Sequence, residues 1–154
     1  MANNPAQLPP QALEAEMAVL GSMLIERDAV EKAVDALLEK DFYLDSHRKI
    51  FAAIKVLSER NGGVDVVTAG EELRRRKVLE DIGGMPALTD LVHKVATAAH
   101  VDYYARIVKE KSILRELINT ATHVVTACYG EAKDPAEILD EAQSAVFAVS
   151  NAPS

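Results

Sequence analysis

Residues 97–130 read TAAHVDYYARIVKEKSILRELINTATHVVTACYG, and this stretch decides the fold of the chain. It contains no Pro, and its only Gly is the last residue, Gly130. Apolar residues recur at helical spacing from Val101 onward, which predicts a single helix over 101–129, roughly 44 Å long at 1.5 Å of rise per residue. Its apolar face is wide and forms two seams, so the helix needs more than one neighbour to exclude water from both.

A second helix is predicted shortly after the first one ends. Gly130 is expected to end the long helix in the left-handed conformation. Asp134, Pro135 and Glu137 form an N-cap and first-turn signal for a helix over 135–149. The link between the two helices is so short that they are predicted to form an antiparallel hairpin. One side of the second helix collects the apolar residues Ile138, Leu139, Ala142, Ala145, Val146 and Val149.

The residues before this hairpin predict five shorter helices, so the fold class is all-α. The first helix is expected to open at Pro10, with Glu16 on its water-facing side. Gly21 lies on the apolar stripe of that helix, and because Gly weakens a helix, its presence there indicates the close approach of another helix. The predicted core consists of Leu20, Leu24, Val34, Phe42, Phe51, Ile54, Leu73 and Leu91.

Two capping boxes are expected to start later helices in this part of the chain. Asp28 with Glu31 predicts the start of the second helix, and Thr68 with Glu71 predicts the start of the fourth. The four residues between the third and fourth helices, 64–67, read VDVV and are expected to form a short extended linker.

These patterns divide the chain into four segments. The polar, Pro-containing residues 1–9 are expected to be a disordered tail. A compact helical head is predicted over 10–97 and the long helical hairpin over 98–150. The last residues, 151–154, are expected to begin an interdomain linker.

Composition excludes several classes of protein. A net charge of −7 argues against sequence-independent binding of nucleic acid, which requires a basic surface. The single Cys excludes an internal disulfide and is consistent with a reducing compartment. The first ten residues do not resemble a signal peptide, and no apolar run is long enough to span a membrane. We therefore expect a cytoplasmic protein that does not bind membranes.

Catalytic and ligand-binding signals are absent from the sequence. No Gly is followed by Lys, so a phosphate-binding P-loop cannot be drawn. The four His residues are scattered and are expected to lie on the surface rather than to bind a metal. Cys128 falls on the apolar face of the long helix and is expected to be a small buried hydrophobe. We expect no catalytic, cofactor-binding or metal-binding residue in this chain.

One basic cluster, Arg74–Lys77, lies in the last turn of the predicted fourth helix. It is either a contact for an acidic partner or for DNA, or a solvated helix end whose cations suit the helix dipole. Four basic residues against the overall negative charge make a weak field, which favours the solvated helix end.

The far half of the long helix is predicted to be an interface. Helix 135–149 is about half as long as helix 101–129, so it covers only part of one seam. Soluble monomers rarely expose large apolar areas, and pairing two hairpins into a four-helix bundle would bury this one. The alternative is that the head folds back over the hairpin. The expected interface residues are Leu117, Ile118, Ala121, Val124, Val125, Ala142 and Ala145.

The chain resembles the N-terminal domain of bacterial replicative DNA helicases of the DnaB family, from Pro9 to about Val149. Five segments carry the resemblance: PPQALEAEMAVLGSML at 9–24, DFYLDSHRKIFAAI at 41–54, VDVVTAGEELRRR at 64–76, IGGMPAL at 82–88, and TAAHVDYYARIVKEKSILRELI at 97–118.

The resemblance implies a non-catalytic role for these residues. In this family the domain precedes a linker and a RecA-like ATPase domain, which holds the P-loop and moves along single-stranded DNA. The N-terminal domain forms a collar on the hexamer by pairing hairpins, and it binds the C-terminal helicase-binding domain of primase. The expected interface residues on the hairpin are therefore candidates for self-association or for primase docking, and the outward side of the hairpin is expected to contribute to docking. A helicase loader is a further candidate partner. We expect the natural chain to continue past Ser154 into the linker.

Three positions depart from the family pattern. Ala87 stands where an aromatic residue is common, Ala96 where Pro is usual, and His100 where Asn is common. The turn at Ala87 and Leu88 is a candidate partner contact, and Ala87 argues against an aromatic contact with primase there. The alternative function is a stand-alone helical adaptor or regulator that binds a replicative helicase.

Overall fold

The described structure is built from helices and the turns that join them. The computed structural model describes residues 7–95 and 98–150. Its seven α-helices are α1 Leu13–Ile25, α2 Arg27–Ala36, α3 Asp45–Glu59, α4 Val66–Arg75, α5 Gly84–Lys94, α6 Val101–Tyr129 and α7 Pro135–Ser150. Short 3-10 turns lie at Glu39–Asp41, Glu80–Ile82 and Ala98–His100. The all-α prediction is confirmed.

The core of the head joins the first five helices to the beginning of α6. The rings of Phe42 and Phe51 pack at its centre, with their centroids 4.9 Å apart. Val101, Ala105 and Val108 contribute the α6 side of the same core. Seven of the eight predicted core residues are buried, and Val34 is partly buried against them.

Gly21 permits α1 and α5 to approach closely, as predicted. A Cβ atom at this position would lie 2.4 Å from the carbonyl oxygen of Leu91 and 2.3 Å from Cγ2 of Val95. Because the carbonyl belongs to the backbone of α5, a side chain here would force the two helices apart.

Two residues expected at the surface are buried together instead. Glu16 is 1% exposed, and one of its carboxylate oxygens lies 2.8 Å from Nδ1 of His47, which is also buried. The other oxygen accepts a hydrogen bond from the backbone N–H of Tyr43 at 2.8 Å. The prediction that Glu16 faces water was wrong, because this carboxylate ties α1 to the turn before α3. The prediction of a surface position was also wrong for His47.

Several predicted helix starts were wrong. The first helix begins at Leu13 rather than at Pro10, and α2 begins at Arg27, one residue before the expected cap Asp28. Asp65 caps α4: its carboxylate accepts the N–H of Thr68 at 2.8 Å, while Oγ1 of Thr68 accepts the N–H of Asp65 at 2.9 Å. The fourth helix therefore starts inside the expected linker.

The long helix has the predicted bounds, Val101–Tyr129. Its end differs from expectation, because Gly130 has φ −79° and ψ 162°, an extended conformation rather than a left-handed one. The chain then turns into α7, which returns along α6. Thr120, Val124 and Ala127 of α6 line one cleft together with Ile138, Ala142 and Ala145 of α7, so the two helices of the hairpin pack against each other.

Three stretches that carry predictions lie outside the described residues. They are residues 1–6 of the predicted tail, residues 151–154 of the predicted linker, and Ala96 and Thr97 at the predicted boundary between head and hairpin. The division at that boundary stays a prediction. In the packing, the first three turns of α6 belong to the core of the head.

Candidate interaction surface

A buried polar network fixes the direction in which α6 leaves the head. Asp41, which is 1% exposed, lies in the turn before α3. One oxygen of its carboxylate accepts hydrogen bonds from the N–H of Leu38 at 2.7 Å and from Nζ of Lys109 at 2.9 Å. The other accepts from Oγ of Ser112 at 2.7 Å. Two residues of α6 are thereby held on one buried carboxylate.

Arg115 extends this network by one turn of α6. Its guanidinium donates to the carbonyl oxygen of Pro10 at 2.8 Å and to that of Asp41 at 2.7 Å. It also lies over the ring of Tyr43, with Cζ 5.5 Å from the ring centroid. The planar fork of Arg suits this combination of two acceptors and an aromatic face. Rigid attachment therefore ends near Arg115, and the rest of α6 extends away from the head.

Beyond Ser112, α6 contains no buried residue. Five of its apolar residues fall within an arc of about 100° at 3.6 residues per turn, and all five are exposed. The fraction exposed is 37% for Leu117, 46% for Ile118 and 55% for Val125. We call this set the outward stripe: Leu114, Leu117, Ile118, Ala121 and Val125.

The structure divides the residues predicted for the interface into two groups. Leu117, Ile118, Ala121 and Val125 belong to the outward stripe. The other three, Val124, Ala142 and Ala145, are half-buried and line the cleft between α6 and α7. Sequence spacing did not separate these groups because it does not show which seam α7 covers.

Sequence reasoning missed Leu114 and the outer face of α7 as parts of the exposed surface. Leu139 and Val146 of α7 are exposed and do not line the cleft. Their spacing of seven residues places them on one helical face and could have indicated a second stripe. Cys128 is also exposed. The prediction that it is buried was wrong, because α7 contacts a different face of α6.

The candidate turn at Ala87 and Leu88 lies within α5 rather than before it. Leu88 is fully buried in the core, whereas Ala87 is half-buried beside Met17 and Ile50 in a small surface cleft. Gly83 and Gly84 have positive φ angles of 103° and 74° and form the turn that starts this helix. Of the two candidate contact residues, only Ala87 reaches the surface.

The arginines of the basic cluster are engaged with carboxylates. Arg74 pairs with Glu71, and Arg75 and Arg76 both bond to Glu72. Hydrogen bonds from Arg75 and Arg76 lower the pKa of the Glu72 carboxyl to about 2. Each of these arginines is thus paired at the end of α4, in keeping with the interpretation as a solvated helix end, although Arg75 and Arg76 share one carboxylate.

No cluster of three or more potential metal ligands from His, Cys, Asp and Glu occurs in the described ranges 7–95 and 98–150. Within the same ranges, the helices are too short or too polar to cross a membrane.

An all-α head with a projecting hairpin and an exposed apolar stripe defines a helical interaction domain. The family model for the DnaB-like helicase N-terminal domain matches residues 8–110. The chain belongs to this family, and the resemblance seen in the sequence is confirmed.

Two curated relatives are replicative helicases. The chain is 44% identical over 143 residues to replicative DNA helicase DnaC of Bacillus subtilis (strain 168), covering 93% of this chain and 32% of the relative. It is 46% identical over 145 residues to replicative DNA helicase DnaB of Rhodothermus marinus, covering 94% of this chain and 15% of the relative. The chain thus spans less than a third of the length of each relative.

Two solved structures share the fold. The crystal structure of the N-terminal domain of DnaB helicase from Mycobacterium tuberculosis superposes with a TM-score of 0.87 at 43% identity, covering 91% of this chain and 99% of that one. A DnaB-like replicative helicase, studied with its interactions with primase, superposes with a TM-score of 0.75 at 24% identity, covering 93% of this chain and 32% of that one.

Proposed function

We propose that this chain is the non-catalytic N-terminal collar domain of a hexameric replicative DNA helicase. It acts in the cytoplasm during DNA replication, associates with other copies through its hairpin, and docks primase. ATP hydrolysis and DNA unwinding are assigned to an ATPase domain of the same protein, and no cofactor is assigned to this domain. Support comes from the family match over residues 8–110 and from relatives that are replicative DNA helicases.

The observation that carries this proposal is the outward stripe. Four of its five residues lie within residues 117–130, which contain no Asp, Glu, Lys or Arg, in a chain with 27% charged residues. Large exposed apolar patches on soluble proteins mark interaction sites. The second half of α6 projects from the head, lacks charged residues and exposes Leu117, Ile118 and Val125. It is therefore suited to contact with a protein partner.

A second copy of the hairpin is the partner that fits this stripe. Two hairpins related by a two-fold axis form a four-helix bundle in which each stripe faces the other. Ala121, a small residue in the middle of the stripe, allows close approach at the crossing of about 20° that such bundles use. Three such pairs would complete the hexameric collar that we propose.

Primase docking is proposed for the outer side of the hairpin. Leu139 and Val146 are exposed apolar residues of α7, whereas the outward stripe that we assign to self-association lies on α6. The fold neighbour studied with its interactions with primase supports this partner. A helicase loader is a further proposed partner, and DNA is assigned mainly to the ATPase domain.

Substitution of Ile118 or Val125 by Asp tests the self-association. Each variant places a charge in the proposed seam, so sedimentation should show dissociation of the dimer, while circular dichroism should show unchanged helicity. Asn119→Asp is the matched control, because it adds the same charge on another exposed face of α6. Self-association by both variants at the parent's affinity would contradict this part of the proposal.

Primase docking is tested by pull-down with the C-terminal domain of a cognate primase. Leu139→Asp and Val146→Asp should reduce capture without changing self-association. Ile118→Asp and Val125→Asp report whether docking also requires the paired hairpins. Capture at the parent's level by all four variants would reject the hairpin as the docking surface for primase.

A further inference from the structure

A shallow groove on the head lies between the end of α3 and α4, far along the chain from the hairpin. Leu57 and Arg60 form one wall, and Val67, Glu71 and Arg75 form the other. The groove thus combines aliphatic and guanidinium groups. It shares no residue with the outward stripe or with the outer face of α7.

Glu72 organises the basic side of this groove. Its side chain is 3% exposed and accepts hydrogen bonds from three arginines. Nη1 of Arg60 lies at 3.2 Å, Nε of Arg76 at 2.8 Å, and Arg75 binds through Nε at 3.2 Å and Nη2 at 2.6 Å. The buried carboxylate therefore holds three long side chains in place, which reduces the entropy that they would lose on binding a ligand.

The charges of this cluster do not cancel. Three guanidinium groups share the single carboxylate of Glu72, while the neighbouring Glu71 is paired with Arg74. Arg60 and Arg75 keep more than half of their side-chain surface exposed, at 56% and 61%. Nε and Nη2 of Arg60 and Nη1 of Arg75 have no acceptor in the part of the chain that the structure describes.

Aliphatic side chains lie beside these free donors. Val67 is 65% exposed, although it lies in the first turn of a well-capped helix. Leu57 is half-buried and lines the groove next to Arg60. The Asp65–Thr68 capping box fixes the start of α4, so the position of Val67 relative to the arginines is set by the fold.

We propose that this groove binds a segment of a partner protein that combines acidic and apolar residues. In such a segment an Asp or Glu side chain is followed closely by an aliphatic side chain. The carboxylate accepts hydrogen bonds from Arg60 and Arg75, since guanidinium forks match carboxylates in geometry. The aliphatic side chain covers Val67 and Leu57. This role goes beyond self-association and primase docking, and it uses other residues.

A protein segment fits the groove better than the phosphate backbone of DNA does. The net charge of −7 repels a polyanion, whereas a short peptide carries few charges and can bury apolar surface. A phosphate backbone offers no hydrocarbon group that could cover Leu57 and Val67, the aliphatic residues of the groove. The chemistry of the groove therefore matches a carboxylate next to a hydrocarbon side chain.

Fluorescence anisotropy with three peptide probes and one DNA probe tests the proposal. The first probe is a fluorescein-labelled peptide with alternating Asp and Leu between Ser and Gly flanks. The second carries Asn for every Asp, the third carries Ser for every Leu, and the fourth is labelled oligo-dT. The parent chain should bind the first peptide and should bind the two altered peptides about tenfold more weakly. Binding of the first peptide should weaken as the salt concentration is raised, because salt screens its charge contacts.

Two variants locate the site. Arg60→Ala removes one fork but leaves Glu72 with Arg75 and Arg76, and Val67→Ser shortens the exposed aliphatic wall. Each should weaken binding of the first peptide about tenfold. Arg106→Ala is the matched control, because it removes the same charge from an exposed position on α6. Sedimentation should show unchanged self-association in all three, which separates this test from that of the hairpin.

Three results would overturn the proposal. The first is the absence of binding of the Asp–Leu peptide below about 1 mM. The second is equal binding of that peptide by the parent chain, Arg60→Ala and Val67→Ser. The third is tighter binding of oligo-dT than of the peptide, with loss of that binding in Arg60→Ala, which would assign the cluster to nucleic-acid phosphate instead.

Discussion

The two halves of α6 have similar local patterns and very different surroundings. In the first half, Val101, Ala105, Val108 and Ser112 are buried against the head. In the second half, apolar residues at the same helical spacing are exposed. Val108 in the first half is 1% exposed, whereas Val125 in the second half of the same helix is 55% exposed. Helical periodicity therefore indicates that a face is apolar, but not what covers it.

Charge distinguishes the two halves better than hydrophobicity does. Between Val101 and Arg115 the helix carries charged residues along its length, and Lys109 and Arg115 are used to attach it to the head. From Leu117 onward it carries none. Half of a helix that is exposed and yet carries no charge is suited to an interface, where another protein chain buries it.

The strongest test of this difference places a charge in each half. Val108→Asp puts a carboxylate into the core of the head, and we expect it to cost more than about 4 kcal/mol, enough to prevent stable folding. Val125→Asp should change the stability of the monomer by no more than about 0.5 kcal/mol. Urea denaturation at low protein concentration measures both. Similar losses for the two variants would contradict the distinction between the halves.

A cavity in the head should be costly, whereas a truncation on the hairpin surface should not. Ile54 is fully buried, so Ile54→Ala should reduce the free energy of unfolding by about 2–5 kcal/mol. Leu139→Ala, on the exposed face of α7, is the comparison and should have little effect on the monomer. An unchanged thermal midpoint for Ile54→Ala would place this residue outside the core.

The polar attachment of α6 should contribute less than the core does. Asp41→Asn removes the charge that Lys109 faces and disturbs three hydrogen bonds to a buried group, so we expect a loss of about 1–3 kcal/mol. Asp102→Asn, in the first turn of α6, is the control, because its exposed pair with Lys32 is 3.8 Å long and should be worth under about 1 kcal/mol. Chemical denaturation measures both, and equal effects would reject the special role of Asp41.

Acid titration should reveal a pH-dependent contribution to stability that originates in the head. Hydrogen bonds from Arg75 and Arg76 lower the pKa of Glu72 from 4.5 to about 2. A carboxyl with a lowered pKa stabilises the fold above its unfolded value, and this contribution is lost as the pH falls from about 4.5 towards 2. Urea midpoints measured across this range should fall less steeply for Glu72→Gln. An identical pH dependence in the parent and the variant would contradict the assignment.

Local signals in the sequence were sufficient for some features. The bounds of α6 followed from an uninterrupted helical pattern, and the start of α7 followed from Asp134 and Pro135. The close approach at Gly21 was also predictable, because a helix that tolerates Gly on its apolar stripe has a steric reason to do so. Each of these depends on residues that are neighbours in the sequence or share one helical face.

Features that depend on distant residues were not predictable in this way. Glu16 looks like a surface residue until His47 and the backbone of Tyr43 are brought against it. The start of α4 was missed for a different reason, because two local signals compete there. Thr68 with Glu71 has the spacing of a capping box, but the carboxylate of Asp65 accepts the backbone N–H of Thr68 and caps the helix three residues earlier.

The sequence by itself determined the helical class, the family and the presence of a long apolar hairpin, because periodicity, caps and motifs are local properties. Only the tertiary structure decided which seam of α6 the returning helix covers, and therefore which residues form the outward stripe. It also assembled Arg60, Arg75 and Arg76 around Glu72, since Arg60 follows the end of α3 whereas Glu72 lies in α4. The physical reason is that burial and electrostatic compensation depend on neighbours in space, which the chain acquires only when its helices pack.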